Sequence, residues 1–126
     1  MYALFLILNE MEKLDDILER LFALKIGATV IDSEGMGCML VEHNREIPIF
    51  AGLRKLIEGG RPLNKTIVSV IRDRDKLEEA RQIIDEELGK IDKPGKGFLF
   101  VVPVVECYGF NLEKNEVSHE CEELSY

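Results

Sequence analysis

The chain has 126 residues, 46% of them hydrophobic, and a formal net charge of −8 at pH 7. That length holds one hydrophobic core and not two, and the acidic balance excludes non-specific binding to a phosphate backbone, which needs a basic surface. The three cysteines, Cys38, Cys107 and Cys121, are odd in number and widely spaced, a pattern of reduced thiols and not of a disulfide framework.

Residues 2–8 are apolar at every position, as expected for a central strand covered on both faces. With no basic residue before them and no small-residue cleavage site after, they read as neither a signal peptide nor a membrane span, so a cytoplasmic protein without membrane insertion is expected. A helix follows over residues 12–25, with Leu14, Ile17, Leu18, Leu21 and Phe22 at helical spacing, Asn9 and Glu12 as a capping box, and Gly27 closing it. Residues 28–34 read as the second strand. Gly35-Met36-Gly37 then permits a sharp bend that most residues would resist, and residues 38–41 could extend the strand.

Pro48 keeps the polar stretch 42–46 a loop, and residues 50–58 present Leu53, Leu56 and Ile57 as one face of a short helix ended by Gly59-Gly60. Residues 66–71 form the third strand. Asp73 or Asp75 caps a second long helix over 75–88 whose stripe is Leu77, Ala80, Ile84 and Leu88, and Gly89 stops it. Residues 92–97, Asp-Lys-Pro-Gly-Lys-Gly, are turn-rich. Residues 98–105 form the last strand, where Pro103 belongs near a strand end or on an edge.

The order β-α-β-β-α-β predicts an α+β, ferredoxin-like fold, with two helices on one face of a four-stranded antiparallel sheet. The other face is left bare and apolar, which predicts self-association. Residues 1–106 make up that domain and residues 107–126 an acidic extension, with Glu113, Glu116, Glu120, Glu122 and Glu123 against Lys114 alone. Two glycine-bearing segments run the other way. Residues 45–65 carry Arg45, Arg54, Lys55, Arg61 and Lys65 against two glutamates, and residues 89–97 carry Lys90, Lys93 and Lys96 against Asp92. Cationic loops in an acidic protein are where a small anion is expected.

The stretch 13–16 (Lys-Leu-Asp-Asp), the Gly35-Met36-Gly37 bend and the run Gly95-Lys96-Gly97-Phe98-Leu99-Phe100-Val101-Val102-Pro103-Val104 together resemble the nitrogen-regulatory PII signalling proteins, over roughly residues 2–106. The resemblance implies a homotrimer with the bare sheet faces turned inward. It also implies ATP, ADP or another nucleotide in clefts between subunits, sensing of 2-oxoglutarate, and a protruding segment, here 37–65, that grips a protein target. It places Gly35 and Gly37 at the base of that segment, and Gly89, Lys90, Gly95, Lys96 and Gly97 in the phosphate-facing loop. The chain departs from the family pattern at Phe98, where members carry a phosphate-binding lysine, and at Cys38 and Met39, where they carry arginine and glutamine. It also lacks the family's modified tyrosine in 45–65 and its arginines beyond the last strand.

His119, Cys121, Cys107, Glu116 and Glu120 are the one set from which a metal cluster could be drawn, at a spacing that matches no structural zinc pattern. A trimeric metal-binding protein of the CutA type is the alternative that this set would serve. His43 stands alone in a polar loop. No glycine-flanked serine, paired-carboxylate signature or HExxH helix supports an enzyme, and residues 9–13 lack the glycine and arginine an acylphosphatase loop needs. Phe98 and Phe100 are too few, in a protein of this charge, for an RNA-binding sheet. The expectation is a PII-like regulatory protein with a small anionic effector, itself and a protein as partners, and no catalytic or metal residues.

Overall fold

In a computed structural model, which describes residues 1–37, 39, 63–89, 91 and 95–110, the chain is α+β. Its elements are β1 (Tyr2–Leu8), a 3₁₀ turn (Met11–Lys13), α1 (Leu14–Ala23), β2 (Thr29–Glu34), β3 (Leu63–Ile71), α2 (Arg74–Leu88) and β4 (Gly97–Pro103). The four strands form one antiparallel sheet in the order β2-β3-β1-β4. Two helices with such a sheet are compatible with a ferredoxin-like fold.

The register decides which side chains the helices cover, because strand residues alternate between faces. Leu4, Leu6 and Leu8 of β1 lie level with Ser69, Ile67 and Lys65 of β3. Leu4, Leu6, Leu8, Ile67 and Ile71 are buried with Ile17 and Leu21 of α1, Ile26 beyond it, and Leu77, Ala80, Ile83, Ile84 and Leu88 of α2. Ser69 is the buried polar residue of this face. Its hydroxyl donates to the Gly27 carbonyl at 2.6 Å, which fastens the link between α1 and β2, and among the described residues no buried side-chain nitrogen or oxygen lacks a partner.

Both helices end in ways that local chemistry explains. At α2 the Asp73 carboxylate accepts from the Lys76 N–H at 2.8 Å, and Gly89 at φ 63° closes the C-terminus. At α1 the closing residue is Lys25 and not Gly27. Lys25 sits at φ 59°, with Ile26 N–H bonded to Leu21 O at 3.0 Å and Lys25 N–H to Phe22 O at 2.9 Å. This is a Schellman motif, in which buried Ile26 packs beside buried Leu21. A lysine accepts the left-handed conformation here because the hydrophobic contact and two hydrogen bonds outweigh a cost of about 1–2 kcal/mol.

Several expectations need correction. Helical structure begins with the 3₁₀ turn at Met11, with no side-chain cap bond from Glu10 or Lys13. Phe22 of the α1 stripe is 56% exposed. β3 begins three residues earlier than residue 66, and β4 ends at Pro103, which is on an edge strand as well as at a strand end. β2 stops at Glu34. The backbone then turns helically, Met39 N–H donating to Gly35 O at 3.1 Å, so the strand is not extended at Met39, while residues 38, 40 and 41 lie outside the described residues. Gly35 is at an ordinary φ with open space around it, so no glycine is required there. β1 is central but covered by the described residues on one face only. The expected loop at 42–46, the helix at 50–58 and the Gly59-Gly60 stop lie outside the described residues.

Candidate functional site

Two features of the sheet bear on function: one of its ends and its open face. β1 and β2 run toward the same end, from which β3 and β4 start, so that Leu8, Lys65, Asp32 and Gly97 occupy neighbouring positions there. α2 returns to this end too, because β3 leads away from it. Gly35, Gly37, Gly89, Gly95, Lys96 and Gly97, far apart in sequence, are thereby gathered at one end of the sheet, while Lys90 lies outside the described residues.

The glycine turn before β4 has a packing reason of its own. Gly97 has φ 133°, and a Cβ there would overlap the carbonyl oxygen of Ile7 and lie 3.1 Å from Ile7 C and 3.3 Å from Leu8 Cα. β1 and β4 approach this closely because Asn9 N–H donates to Lys96 O at 3.0 Å. Gly95, at φ 86°, has open space around it.

Two of the described lysines at this end already have anionic partners. Lys96 Nζ is 2.5 Å from Glu10 Oε1, and both side chains are largely buried. Lys65 Nζ pairs with the carboxylate of Asp32. An incoming phosphate would therefore compete with Glu10 for Lys96, which a doubly charged, multidentate oxyanion can do. Beside them the Ser33 hydroxyl donates to the side-chain oxygen of Asn64, leaving the Thr66 hydroxyl to donate to Ser33 Oγ at 2.7 Å.

The open face carries Ala3, Phe5 and Ile7 of β1, Thr66, Val68 and Val70 of β3, Phe98, Phe100 and Val102 of β4, and Thr29 and Ile31 of β2. No charged side chain stands among these strand positions. Phe5 and Phe100 stack across the strands with ring centroids 4.8 Å apart and planes 6° from parallel, and Phe98 lies 6.1 Å from Phe100. Phe98, Phe100, Ile31 and Val102 are 57%, 42%, 48% and 37% exposed. A contiguous, uncharged, aromatic-rich patch of this kind marks an interaction surface.

On the helix side, a groove of about 380 Å³ between α1 and α2 is lined by Arg20, Ala23, Leu24, Gln82, Ile83 and Glu86, among others. Arg20 holds it together, bonding Glu86 at 2.6 Å and Glu87 at 3.2 Å. The bond to Glu86 raises the Arg20 pKa, and the same bond, with help from Gln82, pulls the Glu86 carboxyl below its usual value.

Sequence reading missed three of these arrangements. The Lys96–Glu10 pair joins residues 86 apart in the chain, and the Ser33–Asn64–Thr66 cluster appears only once the β2–β3 register is known. Phe5 was hidden in a run that is apolar throughout. The spacing of Gln82 and Glu86, four apart on one helix, was the one signal that could have pointed to the groove.

Among the described residues, no three His, Cys, Asp or Glu side chains gather where they could hold a metal ion, and no helix is long and apolar enough to cross a membrane. His119 and Cys121 lie outside those residues. No protein-family model matches the chain, and no curated protein matches it in sequence.

Proposed function

We propose that this chain is a PII-like regulatory subunit of the cytoplasm. It assembles as a homotrimer through its open sheet face, holds a small anionic effector, a nucleotide in the first instance, between subunits at the glycine-bearing end of the sheet, and reports to a protein target through residues 37–65. The observation that carries the reading is the open face. Covering the exposed parts of Phe98 and Phe100 alone removes roughly 200 Å² of apolar surface from water, about 5 kcal/mol per subunit before the cost of association. Packing sheet faces against each other brings the ends of neighbouring sheets together, and the gathered glycines then stand beside the resulting seams. An effector that prefers one arrangement of 37–65 shifts the population toward it, which is all that signalling requires.

Sedimentation velocity over a concentration series tests the assembly, with Phe100→Asp as the variant. The full chain should sediment as a trimer and the variant as a single chain, because a buried unpaired carboxylate costs several kcal/mol. A wild-type chain that stays single at all concentrations refutes the reading. Thermal shifts with ATP, ADP, AMP, cyclic dinucleotides, 2-oxoglutarate and divalent metals then identify the effector. A true ligand at a hundredfold excess over its dissociation constant stabilises by about 2.7 kcal/mol. Stabilisation by a divalent metal alone would replace this reading with the CutA-type one.

A further inference from the structure

The end of the described chain returns to one end of the sheet, beside the open face. After Pro103 the ladder continues by one bond, Val104 N–H to Met1 O at 3.0 Å, and the chain then crosses the end of the sheet. Gly109, at φ 84°, turns it. Phe110 comes to rest against Arg72, whose guanidinium carbon lies 4.9 Å from the ring centroid and whose Nη2 donates to Phe110 O at 3.2 Å. Val68 and Val70 belong to the open face, and position 72 follows them in the same alternation. The chain is thus delivered from the edge strand β4 to the end of the central strand β3, on the side the helices do not cover, with residues 111–126 still to follow.

Those residues have the reach and the composition to cover the face. The sheet is about 20 Å deep along β1, and residues 111–126 span about 24 Å even if helical and roughly 50 Å if extended. Leu112, Val117, Cys121, Leu124 and Tyr126 are apolar, and 117, 121 and 124 repeat at helical spacing. The five glutamates between them would remain in water, where a face without charges offers them no partner.

We propose that residues 111–126 dock their apolar side chains on the open sheet face and compete there with a second copy of the chain, so that the acidic tail sets the strength of self-association. The competitor rests on the assembly reading above; the docking does not. The test uses the full chain with Leu112→Ser, Val117→Ser and Leu124→Ser combined, which keeps every charge, and separately with Glu122→Gln and Glu123→Gln combined, which keeps every apolar residue. Sedimentation gives the association constant, and binding of the dye ANS reports exposed apolar surface.

The serine variant should associate about tenfold more tightly than the parent, while the glutamine variant should not. If the parent is trimeric and the serine variant associates no more tightly, docking is refuted and the assembly reading stands. If only the glutamine variant associates more tightly, the tail acts by charge repulsion and docking is again refuted. If all three sediment as single chains, the assembly reading fails; docking then survives if the serine variant binds more ANS than the parent, and fails if it does not.

Discussion

Replacing Gly97 by alanine should be among the most damaging single-methyl additions in the protein. Its φ of 133° is a conformation that L side chains rarely adopt, at a cost of about 1–3 kcal/mol. The added Cβ would also overlap the Ile7 carbonyl oxygen and press on Ile7 C and Leu8 Cα, all main-chain atoms of the central strand β1. No flexible side chain can yield, so β4 has to move away from β1 by roughly 1 Å, which disrupts at least one ladder bond worth about 1 kcal/mol. The total is about 2–4 kcal/mol, a large part of the 5–15 kcal/mol of a typical domain. Urea unfolding followed by circular dichroism measures it, with two other glycines as references. Gly95→Ala, strained in φ but in open space, should cost about 1 kcal/mol. Gly35→Ala, neither strained nor crowded, should be neutral or slightly stabilising. A Gly97→Ala protein within about 1 kcal/mol of the parent, or a Gly35→Ala protein equally damaged, would refute the reasoning.

Four further outcomes follow from the structure. Lys25→Gly removes the left-handed strain at the end of α1 and should raise stability by about 1 kcal/mol in the same assay, since the Schellman bonds are main-chain and survive. Asp73→Ala removes the cap on α2 and should lower stability by about 1 kcal/mol, with Asp73→Ser recovering most of it. The Glu86 carboxyl has a lowered pKa in the folded state, so its bond to Arg20 stabilises fully above the ordinary glutamate range, and that contribution is lost as pH falls through the lowered value. The gap in melting temperature between the parent and Glu86→Gln should therefore close on acidification, and a gap independent of pH would assign it to something other than the ion pair. Glu10→Gln releases Lys96 from its anion, so a phosphate-bearing effector found by thermal shift should bind this variant more tightly; unchanged affinity would remove Lys96 from the site.

Much of this architecture was legible because burial imposes a period on sequence. The apolar run of β1, the 3.6-residue stripe of α2 and the glycine stop at Gly89 are local signals, and each corresponds to an element in the structure. Position 25 was not legible, since no propensity marks a lysine for a left-handed turn; only the contact between Ile26 and Leu21 makes the turn favourable. The bend at Gly35 was misread for the opposite reason. Glycine allows a strained backbone but does not require one, and here the chain enters an ordinary helical turn. Of the candidate site, the gathering of glycines at one sheet end follows from strand order, whereas the partners of Lys96 and Lys65 follow from register, which one sequence does not display.

The two functional signals also differ in what the single-chain fold already explains. Gly97 is required by the approach of β4 to Ile7, and Lys96 is engaged by Glu10, so both have structural roles before any ligand is considered. Among the described residues the open face has no such role. The described residues gain nothing from keeping Phe98 and Phe100 partly in water, whereas Ser69, the buried polar residue of the helix-covered face, is tied to a main-chain carbonyl. Strand alternation would have accommodated serine or lysine on the open side at no cost to the core, as it does at Ser33 and Asn64 near one end of the sheet. The apolar choice at Phe5, Val68, Phe100 and Val102 is therefore information about what covers this face, and it is the firmer ground on which to begin experiments.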